Sequence, residues 1–148
     1  MMKNKLAILA SLVASSFAFN ANAGIVTNST DLLSGAGHEQ LSEWLGHDVD
    51  LTRIFAKGVD GDDSYDWHDH VDGQGATFTV FEVFNAGERM VVGGYNPYSW
   101  SESNQYSPKG NSFLFNLTTS TSYQGTSSSG AYNRGAYGVT FGGGHDLK

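Results

Sequence analysis

Apolar residues in this chain fall in short groups, and the spacing within each group predicts what it forms. Thr77 to Phe84 (TFTVFEVF) is apolar or β-branched on both faces apart from Glu82, which predicts a strand covered on both sides. Asn85-Ala86-Gly87-Glu88 supplies a turn, and Met90 to Tyr95 returns antiparallel to that strand. Ser112 to Leu117 alternates, with Phe113, Phe115 and Leu117 on one face. The segment joining these two strands carries Tyr95, Pro97, Tyr98, Trp100 and Tyr106. It is too long for a simple hairpin and too aromatic to stand clear of everything, so it must pack on something.

Elsewhere the pattern is helical or absent. In His38 to Leu45 the residues Leu41, Trp44 and Leu45 fall at helical spacing, Glu39 sits in the first turn and Gly46 follows as a stop. Gly35-Ala36-Gly37 reads as a break before that helix, and Leu51, Ile54 and Phe55 in LTRIF as a helical turn docking on the same core. Residues 58 to 75 form an acidic loop leading into a short helix. Residues 118 to 135 (TTSTSYQGTSSSGAYNRG) hold almost no aliphatic side chain, which predicts a mobile surface loop. The glycine run 142 to 144 reads as a corner where two backbones approach.

Composition supports a mainly β, α+β chain of short strands and turns, with 19 glycines in 148 residues. Lys3 and Lys5, the apolar stretch Leu6 to Phe19 and the site Ala21-Asn22-Ala23 together read as a secretory signal peptide over residues 1–23. The apolar stretch is shorter than the roughly 20 residues a membrane span needs. Cleavage after Ala23 predicts a secreted or periplasmic domain over 24–148, with no transmembrane segment left. Loss of two lysines takes the formal charge from −7 to −9. So acidic a chain, without a basic patch, repels phosphate backbones and excludes nucleic acid as a partner. There is no cysteine, so thiol catalysis, disulfides and Cys-ligated zinc are excluded.

Candidate chemistry concentrates in residues 58–75, with six aspartates and two histidines. A calcium loop starting at Asp60 would need an oxygen ligand, Gly and Glu at its fifth, sixth and twelfth positions, where Ser64, Tyr65 and Val71 stand. Asp60, Asp62 and Asp66 are thus calcium candidates without a matching template, and zinc on His68, His70 and a nearby Asp would need a spacing that is not a recognised one; no cofactor is expected, with calcium as the alternative. His68, beside Trp67, reads as a structural histidine. Glu82 is either a partly buried carboxylate, as a general acid requires, or an ion-pair partner of Arg89. Gly125 to Gly130 departs from the nucleophile elbow G-x-S-x-G by one residue and no helix follows, which argues against a serine hydrolase.

Three motifs in order give the chain a resemblance. Trp67-His68, Asp72-Gly73, Gly75 and Thr77 form the first; Gly93-Gly94-Tyr95, Trp100-Ser101 and Phe113-Leu114-Phe115-Asn116-Leu117 the second; Gly138-Val139-Thr140-Phe141-Gly142-Gly143-Gly144-His145-Asp146-Leu147 the third. Together they resemble the TLDc domain family from about Leu32 to Leu147. Val71, Gln74 and Ala76 stand where the family often has Cys, Lys and Pro. The resemblance implies two antiparallel β-sheets packed as a sandwich with short flanking helices. It implies structural roles for Trp67, His68, Asp72, Gly73, Gly93, Gly94, Trp100, Phe113, Phe115, Gly142, Gly143, Gly144, His145 and Asp146. It also implies a link to oxidative-stress resistance, and the leader resembles those of exported bacterial members. Family members continue past GGGHDL with further strands, so a shortened sandwich with an open sheet edge is expected.

No nucleophile, base or metal constellation is complete, and the function expected is therefore an exported, non-catalytic binding or stress-protective module. Its partner would be a protein or glycan at the cell surface, met through Tyr95, Tyr98 and Trp100. The alternative is a hydrolase or metal-dependent enzyme using Asp66, His68 or Glu82.

Overall fold

The computed structural model describes residues 24–27, 32–33 and 35–143, the first four by backbone alone. The expected leader, Gly144, His145, Asp146 and the end of the chain lie outside these residues. The elements run β1 (Gly24–Thr27), α1 (Gly35–Leu45), β2 (Thr52–Ala56), α2 (Ser64–Val71), β3 (Thr77–Asn85), β4 (Glu88–Asn96), β5 (Gln105–Pro108), β6 (Phe113–Asn116), β7 (Thr121–Tyr123) and β8 (Ser129–Asn133).

They form the expected mainly β architecture of two sheets with two short helices. The larger sheet has the order β2-β1-β3-β4-β6-β7 and the smaller pairs β5 with β8. From β3 onward every pairing is antiparallel, whereas β1 lies parallel to both β2 and β3. The alternation of β3 divides the core into two layers. Phe78 and Val80 meet Leu41 of α1 and Tyr95, Phe113 and Phe115 of the same sheet. Trp44 closes this layer, 5.8 Å from the Phe115 ring. On the opposite face, Phe81, Leu114 and Phe55 of the larger sheet pack with Trp67, Val71, Trp100, Ala131, Val139 and Phe141, which belong to α2, the smaller sheet and their loops.

Four expectations change. β3 is covered on both sides only from Thr77 to Val80; beyond Phe81 the β3–β4 hairpin leaves the body, exposing Val83 and Phe84. On that hairpin Glu82 pairs with Arg89, and a half-exposed pair of this kind contributes about 0–1 kcal/mol. LTRIF is strand β2 and not a helical turn, because pairing with β1 decides a short apolar run that periodicity leaves ambiguous. The helix starts at Gly35 and takes in the expected break; each glycine costs about 1 kcal/mol of helix propensity, which burial of Leu41 offsets. Finally, the stretch 118–135 contains β7 and β8, with Ala131 fully buried.

Candidate functional site

The acidic segment folds around α2. Asp63 caps the helix, its Oδ1 accepting from the backbone N–H of Tyr65 at 2.8 Å and Asp66 at 2.9 Å. Asp66 Oδ2 reaches back to the N–H groups of Asp62 and Asp63, completing a capping box. Asp60 Oδ2 accepts from Ala56 N at 2.7 Å, and His70 Nδ1–H donates to the Asp66 carbonyl at 2.8 Å. Of the metal candidates, Asp60, Asp66, His68 and His70 thus have separate tasks, and Asp62 enters through its backbone N–H alone. Among the described residues no three acidic, histidine or cysteine side chains gather as a metal site would need.

His68 is buried and engaged on both nitrogens. Nδ1 meets Asp72 Oδ1 at 2.7 Å, and Nε2–H donates to the carbonyls of Tyr137 at 3.0 Å and Arg134 at 3.1 Å. The ring ties α2 to a turn more than 60 residues away. His68→Leu would leave these acceptors without a donor, so a loss of about 2–4 kcal/mol is expected in a urea melt. A variant within about 0.5 kcal/mol of the parent would remove that role. For catalysis the same geometry is unhelpful: Asp66, His68 and Glu82 each have a partner, and none shares one with another.

The motif residues converge on the layer between the sheets. Trp67 lies edge-on to Trp100 with centroids 4.9 Å apart, and Trp100 to Phe141 at 5.6 Å. Gly73 N–H donates to the Trp100 carbonyl at 3.3 Å, and Trp100 Nε1–H to Thr77 Oγ1 at 2.8 Å. Gly93 and Gly94 lie in β4, and Phe113 and Phe115 in β6. Gly142 N–H donates to Gly130 O at 2.9 Å, the close approach expected of the glycine corner, and Gly143 follows it, exposed.

The aromatic binding candidates separate. Tyr95 and Trp100 are buried at 6% and 1% exposure, which corrects their expected availability to a partner; Tyr98 alone of the three is exposed. Trp100 is drawn inward once its indole N–H has an acceptor, whereas Tyr95 is buried by its place in β4 between Phe78 and Phe113. Burial pushes the Tyr95 phenol above its ordinary pKa.

What the surface offers instead is a cleft of about 500 Å³ lined by residues of both sheets. Phe113, Leu114 and Phe141 line it with apolar surface. Tyr123 and Gln124 stand at the end of β7, Ser127 and Ser129 lead into β8, and Lys109 is the one lysine or arginine among its described lining residues. An apolar base with a few polar groups, within the usual 300–1,000 Å³, is the form ligand sites take. A second depression of about 580 Å³, beside the C-terminal end of α1, is lined by His38, Glu39, Glu43, His47, Asp48 and Asp50. Carboxylates and imidazoles dominate the side chains around it, and it reads as a solvated acidic face. The sequence hint to the first cleft is the pairing of two Gly/Ser-rich stretches, 125–130 and 142–143, which line it together.

No curated protein and no solved structure gives a significant match to the chain. The family model of the TLDc domain matches residues 26–148, which takes in all three motifs and both core layers. By that match the chain belongs to the TLDc domain family.

Proposed function

We propose that this chain is an exported, non-catalytic binding module that meets a protein or glycan of the cell envelope through the cleft between its sheets. The observation that carries the reading is the cleft itself: apolar rings at its base, hydroxyl and amide groups on its walls and the ammonium of Lys109. Such walls recognise a partner by contact area and hydrogen bonds. Asp66, His68 and Glu82, the candidates for acid–base work, are engaged in a helix cap, backbone carbonyls and an ion pair. Export rests on the basic start, apolar stretch and Ala21-Asn22-Ala23 site. The stress-protective side of the reading rests on the family association alone.

Gly125 lines the cleft, and a Cβ there would meet no atom within 4 Å. Gly125→Trp should therefore obstruct the cleft while the melting transition stays within about 0.5 kcal/mol of the parent. In a sedimentation assay of labelled protein with isolated cell envelopes, at least tenfold weaker binding of this variant is expected. Equal binding by the folded variant would move the contact surface elsewhere.

A further inference from the structure

On the outer face of the smaller sheet, Tyr106 of β5 stands directly opposite Tyr132 of β8. The Tyr132 N–H donates away from β5, to the Thr140 carbonyl at 2.9 Å. Tyr106 and Tyr132 are therefore a pair without mutual backbone hydrogen bonds, the kind whose side chains stand closest. Their ring centroids are 4.5 Å apart with planes tilted by 34°. Tyr106 is 41% exposed, and the Tyr132 hydroxyl donates to the exposed Asn104 at 2.7 Å, so both phenols lie at the solvent boundary.

We infer that Tyr106 and Tyr132 form a site of oxidative modification, at which a peroxide acting through a one-electron oxidant joins the two rings as an intramolecular dityrosine. Each phenol gives up one electron and one proton. The two resulting radicals couple through a carbon ortho to each hydroxyl, the ortho hydrogens return to the phenol oxygens by tautomerisation, and one peroxide is reduced to two waters. The chain has no cysteine to intercept the radicals as a thiol would. Trp67 and Trp100, the other easily oxidised rings of this region, are buried. Tyr65 and Tyr123 are more exposed, at 59% and 56%, but neither stands opposite another tyrosine in the strand pairing. Tyr137 does touch Tyr132, but edge-on at 5.9 Å and with the Arg134 guanidinium over its ring, farther and less aligned than Tyr106 at 4.5 Å. A partner held on the neighbouring strand has an effective concentration in the millimolar range or above, roughly a thousandfold over a micromolar second molecule. The product is a covalent link between β5 and β8, which closes a loop containing β6 and β7, in a chain that has no disulfide to do so.

The test treats the purified full chain, at micromolar concentration, with hydrogen peroxide and a haem peroxidase. Expected are dityrosine fluorescence migrating with the monomer, a monomer mass lower by two hydrogen atoms, and a proteolytic fragment joining the Tyr106 and Tyr132 peptides. Tyr106→Phe keeps the stacked ring but removes the coupling phenol, so it should cut monomeric dityrosine at least tenfold. Tyr98→Phe should leave it unchanged. The melt of each untreated variant verifies that it is folded. Fluorescence confined to dimers, links through Tyr65 or Tyr123, or a Tyr106→Phe variant that still yields the monomeric product would overturn the inference.

Discussion

Replacing Trp100 by alanine is expected to lower stability by about 3–5 kcal/mol, a large share of the roughly 5–15 kcal/mol that holds a domain of this size. The indole is 1% exposed and joins pieces distant in sequence: Trp67 of α2 on one side, Phe141 on the other, and Thr77 of the central strand through its Nε1–H. The hydrogen bond accounts for the smaller part, about 1 kcal/mol net; the larger comes from the cavity and the lost ring contacts. Trp100→Phe separates the two. It keeps most of the volume and leaves Thr77 Oγ1 without its donor, so about 1–2 kcal/mol is expected. Urea melts of both variants give the comparison. Equal losses would mean that the hydrogen bond, and not packing, dominates at this position.

The same residue shows how much of the fold could be read in advance. β3, β4 and β6 were legible because their apolar positions face layers on both sides of one sheet, so alternation and continuous burial both left a pattern. β5 and β8 were not, since their inward positions hold Ser107, Ala131 and Asn133; the bulk on that side comes from Val139 and Phe141. Small inward residues carry no periodic apolar signal. The parallel strand β1 escaped for another reason: four residues paired with partners more than 25 positions away leave nothing local to find. That an aromatic loop had to pack was legible in Trp100, but the direction was not, because its acceptor lies 23 residues earlier on another strand.

The candidate site was less legible still. The acidic segment attracted attention because side chains that bind metals are the same ones that cap helices, and composition alone cannot separate the two uses. Only the capping box, Asp63 to Asp66, distinguished them, and its spacing was present in the sequence. The cleft had no such local mark. Its walls come from the end of β7, the approach to β8 and the loop before β6, segments of both sheets that are distant in sequence.

Gly93→Ala should be the most damaging of the smallest possible substitutions, costing about 3 kcal/mol or more for a single methyl group. Neither Gly93 nor Gly94 has a positive φ, so the requirement is space and not backbone conformation. The two face opposite layers. A Cβ on Gly93 would lie 2.0 Å from the Thr79 carbonyl oxygen and 2.4 Å from the Phe115 ring; one on Gly94 would lie 2.5 Å from the ring of Phe141. The obstacle at Gly93 is main chain of the neighbouring strand, fixed by continuous pairing from Thr77 to Asn85, and it cannot move without separating β3 from β4. The obstacle at Gly94 is a side chain, and Phe141 also lines the cleft, so its ring has room to swing. Gly94→Ala should therefore cost less, about 1–3 kcal/mol. It should also weaken envelope binding, by displacing Phe141 into the cleft. Urea melts set the order of the two variants, and the sedimentation assay on folded Gly94→Ala tests the second effect. A Gly94→Ala protein that is destabilised but binds like the parent would separate Phe141 from the contact surface and leave it to the core alone.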